Sequence, residues 1–147
     1  MTRFLVDGSL PSARTSTCVG SIIDVYIPIA PLPVTTADDV VSGLYWELFA
    51  DPLVLAWSGD EPLSFGCAAG GTATFAPVDE HWRTAVSLDR CMYVPDAQLS
   101  GSGTLDLSGW GAELDLTSAR GDLTLDGDYD HWRITGTWDG DPVSVEE

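Results

Sequence analysis

Leu105-Asp106-Leu107-Ser108-Gly109-Trp110-Gly111-Ala112-Glu113-Leu114-Asp115-Leu116-Thr117-Ser118-Ala119-Arg120-Gly121-Asp122-Leu123-Thr124-Leu125 is the stretch on which the fold is decided. Three Leu-x-Leu units recur at a spacing of nine, each with a polar residue between its leucines and a glycine in the intervening segment. Successive side chains of a strand point to opposite faces, so two inward leucines around an outward Asp or Thr are a period-two signature. Nine residues hold one short strand and one tight turn, and the stretch therefore predicts an antiparallel meander. A parallel β-helix shares the glycines and the alternation, but three copies without the glycines of the calcium-binding nonapeptide favour the meander.

Working outward, Trp82, Thr84, Val86 and Leu88 alternate with Arg83, Ala85 and Ser87. Leu53, Leu55 and Trp57, then Leu63, Phe65 and Cys67, then after a Gly70-Gly71 break Ala73 and Phe75, repeat the same period. All are read as strands. Upstream, one helix is predicted over about residues 37–50. Thr36 suits its N-cap and Asp38 and Asp39 its positive end, while Val40, Val41, Leu44, Leu48 and Phe49 share one face. Pro52 is expected to stop it. Earlier still, Ile23, Val25, Ile27 and Ile29 read as an edge strand with Pro28, residues 30–34 as an extended connector, and Arg3 to Val6 as a short strand entering an Asp7-Gly8 turn. The fold class is thus mainly β, an antiparallel meander, sandwich or barrel-like sheet with one amphipathic helix, in a single domain over 1–147. An Asp-His-Trp-Arg-like echo at Asp79–Arg83 and Tyr129–Arg133 opens two of the strands.

Composition restricts the partners. The chain has 147 residues, 44% of them hydrophobic and six of them tryptophan, which suffices for a packed core despite a net charge of −17. There is no lysine, and six arginines face 23 carboxylates. Such a surface repels phosphate, so direct DNA or RNA binding is not expected, and a protein with a basic face is the favoured partner class. The most apolar run, Ile22 to Val34, contains Asp24 and three prolines, and no membrane span is expected. Residues 1–8 lack the apolar core of a signal peptide, and Thr15-Ser16-Thr17-Cys18 lacks the features of a lipoprotein cleavage site.

Cysteines stand at 18, 67 and 91, without metal-ligand spacing. Cys67 and Cys91 end or follow predicted strands, and two readings stay open: a bridge that closes a loop in an oxidising compartment, or two small buried thiols. The pattern Cys67-Ala68-Ala69-Gly70-Gly71, Leu88-Asp89-Arg90-Cys91 and Leu99-Ser100-Gly101-Ser102-Gly103-Thr104-Leu105 resembles the Cys-x-x-Gly-Gly, strand, Cys, Gly-x-Leu pattern of β-rich extracytoplasmic domains of proteobacterial lipoproteins, over residues 67–138. That resemblance implies a Cys67–Cys91 bridge and an extracytoplasmic or secreted location, and it carries over no catalytic residue.

The acids, histidines and tryptophans are the residues that could carry chemistry. Asp122, Asp126, Asp128 and Asp130 surround an expected hairpin, and Asp126, Asp128 and Asp130 are the candidate calcium ligands, although the EF-hand order of Gly at position six and Glu at twelve is not met. Adjacent strand residues point apart, so Asp130 is not expected to orient His131, and Gly101-Ser102-Gly103 falls short of a nucleophile elbow. No catalytic residue and no other cofactor is assigned. Most tryptophans are expected in the core. Trp110, between two glycines, is the one expected at the surface as a partner contact. The leading expectation is a non-enzymatic extracytoplasmic domain acting through protein–protein contacts. The alternatives are a cytosolic or viral acidic inhibitor whose carboxylates imitate nucleic-acid phosphates, and a calcium-binding β domain.

Overall fold

The computed structural model describes residues 36–78, 83–93, 97–128 and 130–146, all within one compact unit spanning Pro31–Glu147. The expected strands at 3–6 and 23–29, Cys18, and the Asp79–Trp82 half of the echo lie outside the described residues.

The helix forms where its sequence signals put it. α1 spans Ala37–Ala50 and opens on a capping box, in which Thr36 Oγ1 accepts from the Asp39 amide (3.1 Å) and the Asp39 carboxylate accepts from the Thr36 amide (2.9 Å). Every residue of the expected apolar face is buried, and Ala37 and Tyr45 join it. Burying each of the larger aliphatic side chains contributes on the order of 1.5–3 kcal/mol. Pro52 ends this helix but also begins another. Asp51 caps α2 (Pro52–Leu55) by accepting from the Leu53 amide at 2.8 Å, with Pro52 in the first turn. The strand expected at Leu53, Leu55 and Trp57 is therefore corrected to a helical turn: a two-period alternation over five residues is outweighed by an Asp-Pro helix start, and Leu53 and Leu55 end up exposed.

Eight strands follow: β1 (Leu63–Gly66), β2 (Gly70–Pro77), β3 (Arg83–Met92), β4 (Leu99–Asp106), β5 (Gly111–Ser118), β6 (Gly121–Gly127), β7 (Trp132–Trp138) and β8 (Asp141–Glu146). They pair in sequence order, each antiparallel to the next, in one open sheet. The meander is thus adopted, and neither sandwich nor closed barrel forms among the described residues.

The Leu-x-Leu rule holds on β5 and β6, where Leu114, Leu116, Leu123 and Leu125 are almost fully buried and stand opposite one another in the pairs Leu114–Leu125 and Leu116–Leu123. It shifts on β4. That strand runs through the glycine-rich Leu99–Gly103 segment and ends at Asp106, so Leu105 is buried while Leu107 sits in the turn, half-buried. On β3, Thr84, Val86 and Leu88 face inward as expected, but the next inward residue is Cys91. A bulge at Asp89-Arg90, with Arg90 at φ +49°, moves the phase by one residue so that Leu88 and Cys91 share a face. The sheet's inner face and the buried side of α1 form one hydrophobic core. The outer face is polar. A single register row crosses all eight strands from Ser64 through Thr74, Ser87, Ser102, Asp115, Thr124 and Thr135 to Ser144.

Cys67 and Cys91 form a disulfide, with Cα atoms 5.5 Å apart. It joins the β1–β2 turn to β3 just past its bulge, and the bridge reading of these cysteines holds. The same corner is tied by backbone bonds from the Cys67 amide to the Gly71 carbonyl (3.2 Å) and from the Ala69 amide to the Met92 carbonyl (2.7 Å). Gly71 lies so close to β3 that a Cβ on it would fall 1.9 Å from the Arg90 carbonyl oxygen.

Candidate functional site: an aromatic ridge and its neighbouring cavities

The β4–β5 turn is built by Asp106, whose carboxylate accepts from the Ser108 hydroxyl (2.7 Å), the Ser108 amide (2.9 Å) and the Gly109 amide (3.0 Å). Those bonds, the Ser108 hydroxyl first, hold its carboxyl below the usual carboxylate range. The turn ends in Trp110, at φ +56°, a conformation that a bulky residue adopts only when its surroundings hold it there. What holds it is α1: the Tyr45 hydroxyl donates to the Trp110 carbonyl, and the Trp110 ring stacks on Phe49 at 5.3 Å and 25°.

Trp110 remains 41% exposed, as its sequence position predicts, and it is not alone. Trp46 of α1 is 43% exposed, with its ring centroid 6.5 Å from that of Trp110. The expectation that most tryptophans are core is not met among the described residues: Trp138 is buried, Trp57 and Trp132 are half-buried at the edge of the core, and Trp46 is exposed because it falls outside the stripe of Val40, Val41, Leu44 and Leu48 that α1 turns to the sheet. A tryptophan on the flank of an amphipathic helix is the signal that could have found it. Glu47 follows it in the helix, and partial burial together with the nearby Asp51 pushes its carboxyl above the usual range.

A concavity adjoins each indole. One of about 310 Å³ is lined by Phe49, Val54, Leu55, Trp57, Leu107, Ser108 and Trp110, and is mostly apolar. The other, about 330 Å³, lies between α1 and the β5–β7 part of the sheet and is lined by Ser42, Tyr45, Trp46, Ala112, Leu125, Gly127, Asp128 and Trp132.

The candidate calcium ligands are dispersed. The expected hairpin at 122–130 is mostly strand β6, and the turn comes after Gly127. Asp126 stands on the outer face of the sheet opposite Glu113 and Arg133. Asp128 uses Oδ1 to close its own turn, accepting from the amides of Asp130 and His131 at 3.0 Å each. Among the described residues no three His, Cys, Asp or Glu side chains are grouped so as to hold a metal ion.

The hairpins at the opposite end of the sheet are joined by Arg120, whose Nε donates to Asp139 Oδ1 at 2.9 Å and whose guanidinium lies 4.5 Å above the Trp138 ring. Arg120 in turn holds the Asp139 carboxyl below the usual carboxylate range. No helix among the described residues is long and apolar enough to cross a membrane. No protein-family model, curated protein or solved structure matches this chain.

Proposed function

We propose that the chain is a non-enzymatic, extracytoplasmic binding domain that docks a protein partner with a basic face. The observation that carries the reading is the pair Trp46–Trp110, two half-exposed indoles 6.5 Å apart on a chain with a net charge of −17. Large rigid aromatics at a surface supply contact area at low entropic cost and dominate interface energetics. Trp110 is held by Phe49 and the Tyr45 hydroxyl and Trp46 packs edge-to-face with Tyr45, so little ordering remains for binding to impose. The carboxylates add direction, because a basic partner is drawn in by long-range attraction while nucleic acid is repelled. The Cys67–Cys91 bond supports an oxidising compartment, in keeping with the likeness to extracytoplasmic lipoprotein domains and against the reading as a cytosolic acidic inhibitor.

The test is capture from the native source on immobilised protein, comparing wild type, Trp110→Ala and Trp46→Ala, each in low salt and at about 0.15 M, where the Debye length is roughly 8 Å. A specific basic partner that is lost from the tryptophan variants and associates more slowly at the higher salt is the expected result. Retention on both variants would remove the ridge from the account, and a flat salt series would remove the electrostatic part.

A further inference from the structure

We propose that the cavity between α1 and the β5–β7 part of the sheet binds a small organic cation, a quaternary or alkylated ammonium ion. This goes beyond the docking of a protein on the ridge and does not depend on it.

The cavity's volume of about 330 Å³ is at the lower end of ligand pockets, which run from about 300 to 1,000 Å³, so its occupant is compact. Three of its walls are aromatic. Tyr45 and Trp46 form an edge-to-face pair 5.7 Å apart with their planes at 86°, and Trp132, at the start of β7, lines the cavity with them. Aromatic faces carry negative charge density, and rings set at an angle around one point are the arrangement that holds an alkylammonium, which gains from the ring faces while giving up little hydration.

The remaining polar groups select the sign of the charge. Among the described residues that line the cavity, Asp128 is the one that carries a charge, and none is an arginine. An anion would meet a carboxylate and aromatic faces on a chain already at −17. Among the described lining residues a bare metal ion would find a single carboxylate and the Ser42 hydroxyl, the Tyr45 hydroxyl being turned to the Trp110 carbonyl, where calcium takes six to eight oxygens. A neutral apolar ligand would leave the Asp128 carboxylate at the cavity without a counter-charge. An alkylammonium satisfies the rings and the carboxylate together. Asp128 is also fixed in place, since its Oδ1 is bound by the amides of Asp130 and His131 and neither bond uses Oδ2.

The experiment follows the six tryptophan indole N–H signals of the full chain by ¹H–¹⁵N NMR during titration with choline chloride. Sodium chloride at matched ionic strength and 3,3-dimethylbutan-1-ol, the neutral carbon isostere of choline, serve as references. The expected result is saturable shifts of the Trp46 and Trp132 signals with choline alone. Trp132→Ala weakens the affinity at least tenfold. Asp128→Asn weakens it at least threefold, and because asparagine keeps the Oδ1 acceptor of the turn, this variant tests the charge in a folded protein even if Trp132→Ala does not fold. Asp115→Asn, on the outer face of β5, leaves the affinity unchanged. The proposal is overturned if the neutral isostere binds as well as choline, if sodium reproduces the shifts, or if Asp128→Asn has no greater effect than Asp115→Asn.

Discussion

Breaking the Cys67–Cys91 bond is the perturbation whose size follows most directly from the structure. The two residues are 24 apart in sequence, and in the chain-entropy treatment a loop of that length lowers the entropy of the unfolded chain by an amount equivalent to about 3.5 kcal/mol at 25 °C. For a domain of this size, that corresponds to a fall in Tm of roughly 10–15 °C. Two routes to the same break separate its causes. Reduction keeps both sulfurs in the core and removes only the link, whereas Cys67→Ala with Cys91→Ala also empties volume at sites 6% and 1% exposed, and so falls further. The loss is also uneven along the sheet. β1 pairs through four residues and, among the described residues, has β2 as its single strand neighbour, with the disulfide as a further tie to the sheet. Amide exchange in the reduced protein is therefore expected to rise first at Leu63–Gly66 and to leave β5 and β6 protected. Calorimetry with and without reductant, thiol titration in denaturant and hydrogen exchange make up the assay, with one reactive thiol per oxidised chain, from Cys18. A Tm change under about 3 °C on reduction, or three reactive thiols in the untreated protein, would refute the reasoning.

Two glycines at positive φ should respond differently to alanine: Gly71→Ala, with a Cβ 1.9 Å from a backbone oxygen, is expected to cost about 2 kcal/mol or more, and Gly140→Ala, with nothing within 4 Å, only about 1 kcal/mol for its backbone conformation. Urea midpoints compare them, and equal losses would contradict the close approach of Gly71 to β3. Asp139→Asn tests the Arg120 pair through pH. The folded carboxyl is held below its unfolded value, so its contribution is present above about pH 4 and is lost as the pH falls through the folded value. Wild type is accordingly more stable than the variant near neutrality, and the two converge in acid; a gap that persists at pH 2 points to packing rather than charge. Calcium at millimolar concentration is expected to leave Tm unchanged, because Asp126, Asp128 and Asp130 are not gathered around one point. A clear rise in Tm would restore the calcium reading.

Sequence by itself determined what depends on near neighbours along the chain. Thr36 and Asp39 are three residues apart, and the stripe from Val40 to Phe49 repeats once per turn, so the helix and its buried face were legible without any knowledge of what covers them. The leucines of β5 and β6 alternate at a period of two, which marks inward from outward whatever the strand pairs with. Trp110, between two glycines, was legible as an exposed turn residue for the same reason. Where two local signals competed the reading failed: at Leu53–Trp57 the alternation lost to the Asp51-Pro52 helix start, and on β3 the bulge at Arg90 broke a phase that simple alternation would have carried past Cys91. Tertiary structure alone decided the rest. One open sheet, rather than a sandwich or barrel, is a matter of which strand edges meet. The candidate cavity needs Tyr45 and Trp46 beside Trp132, more than eighty residues later in the chain. Periodicity specifies which way a side chain faces, but it holds no information on which distant side chain it will face, because that is set by the packing of whole elements against one another.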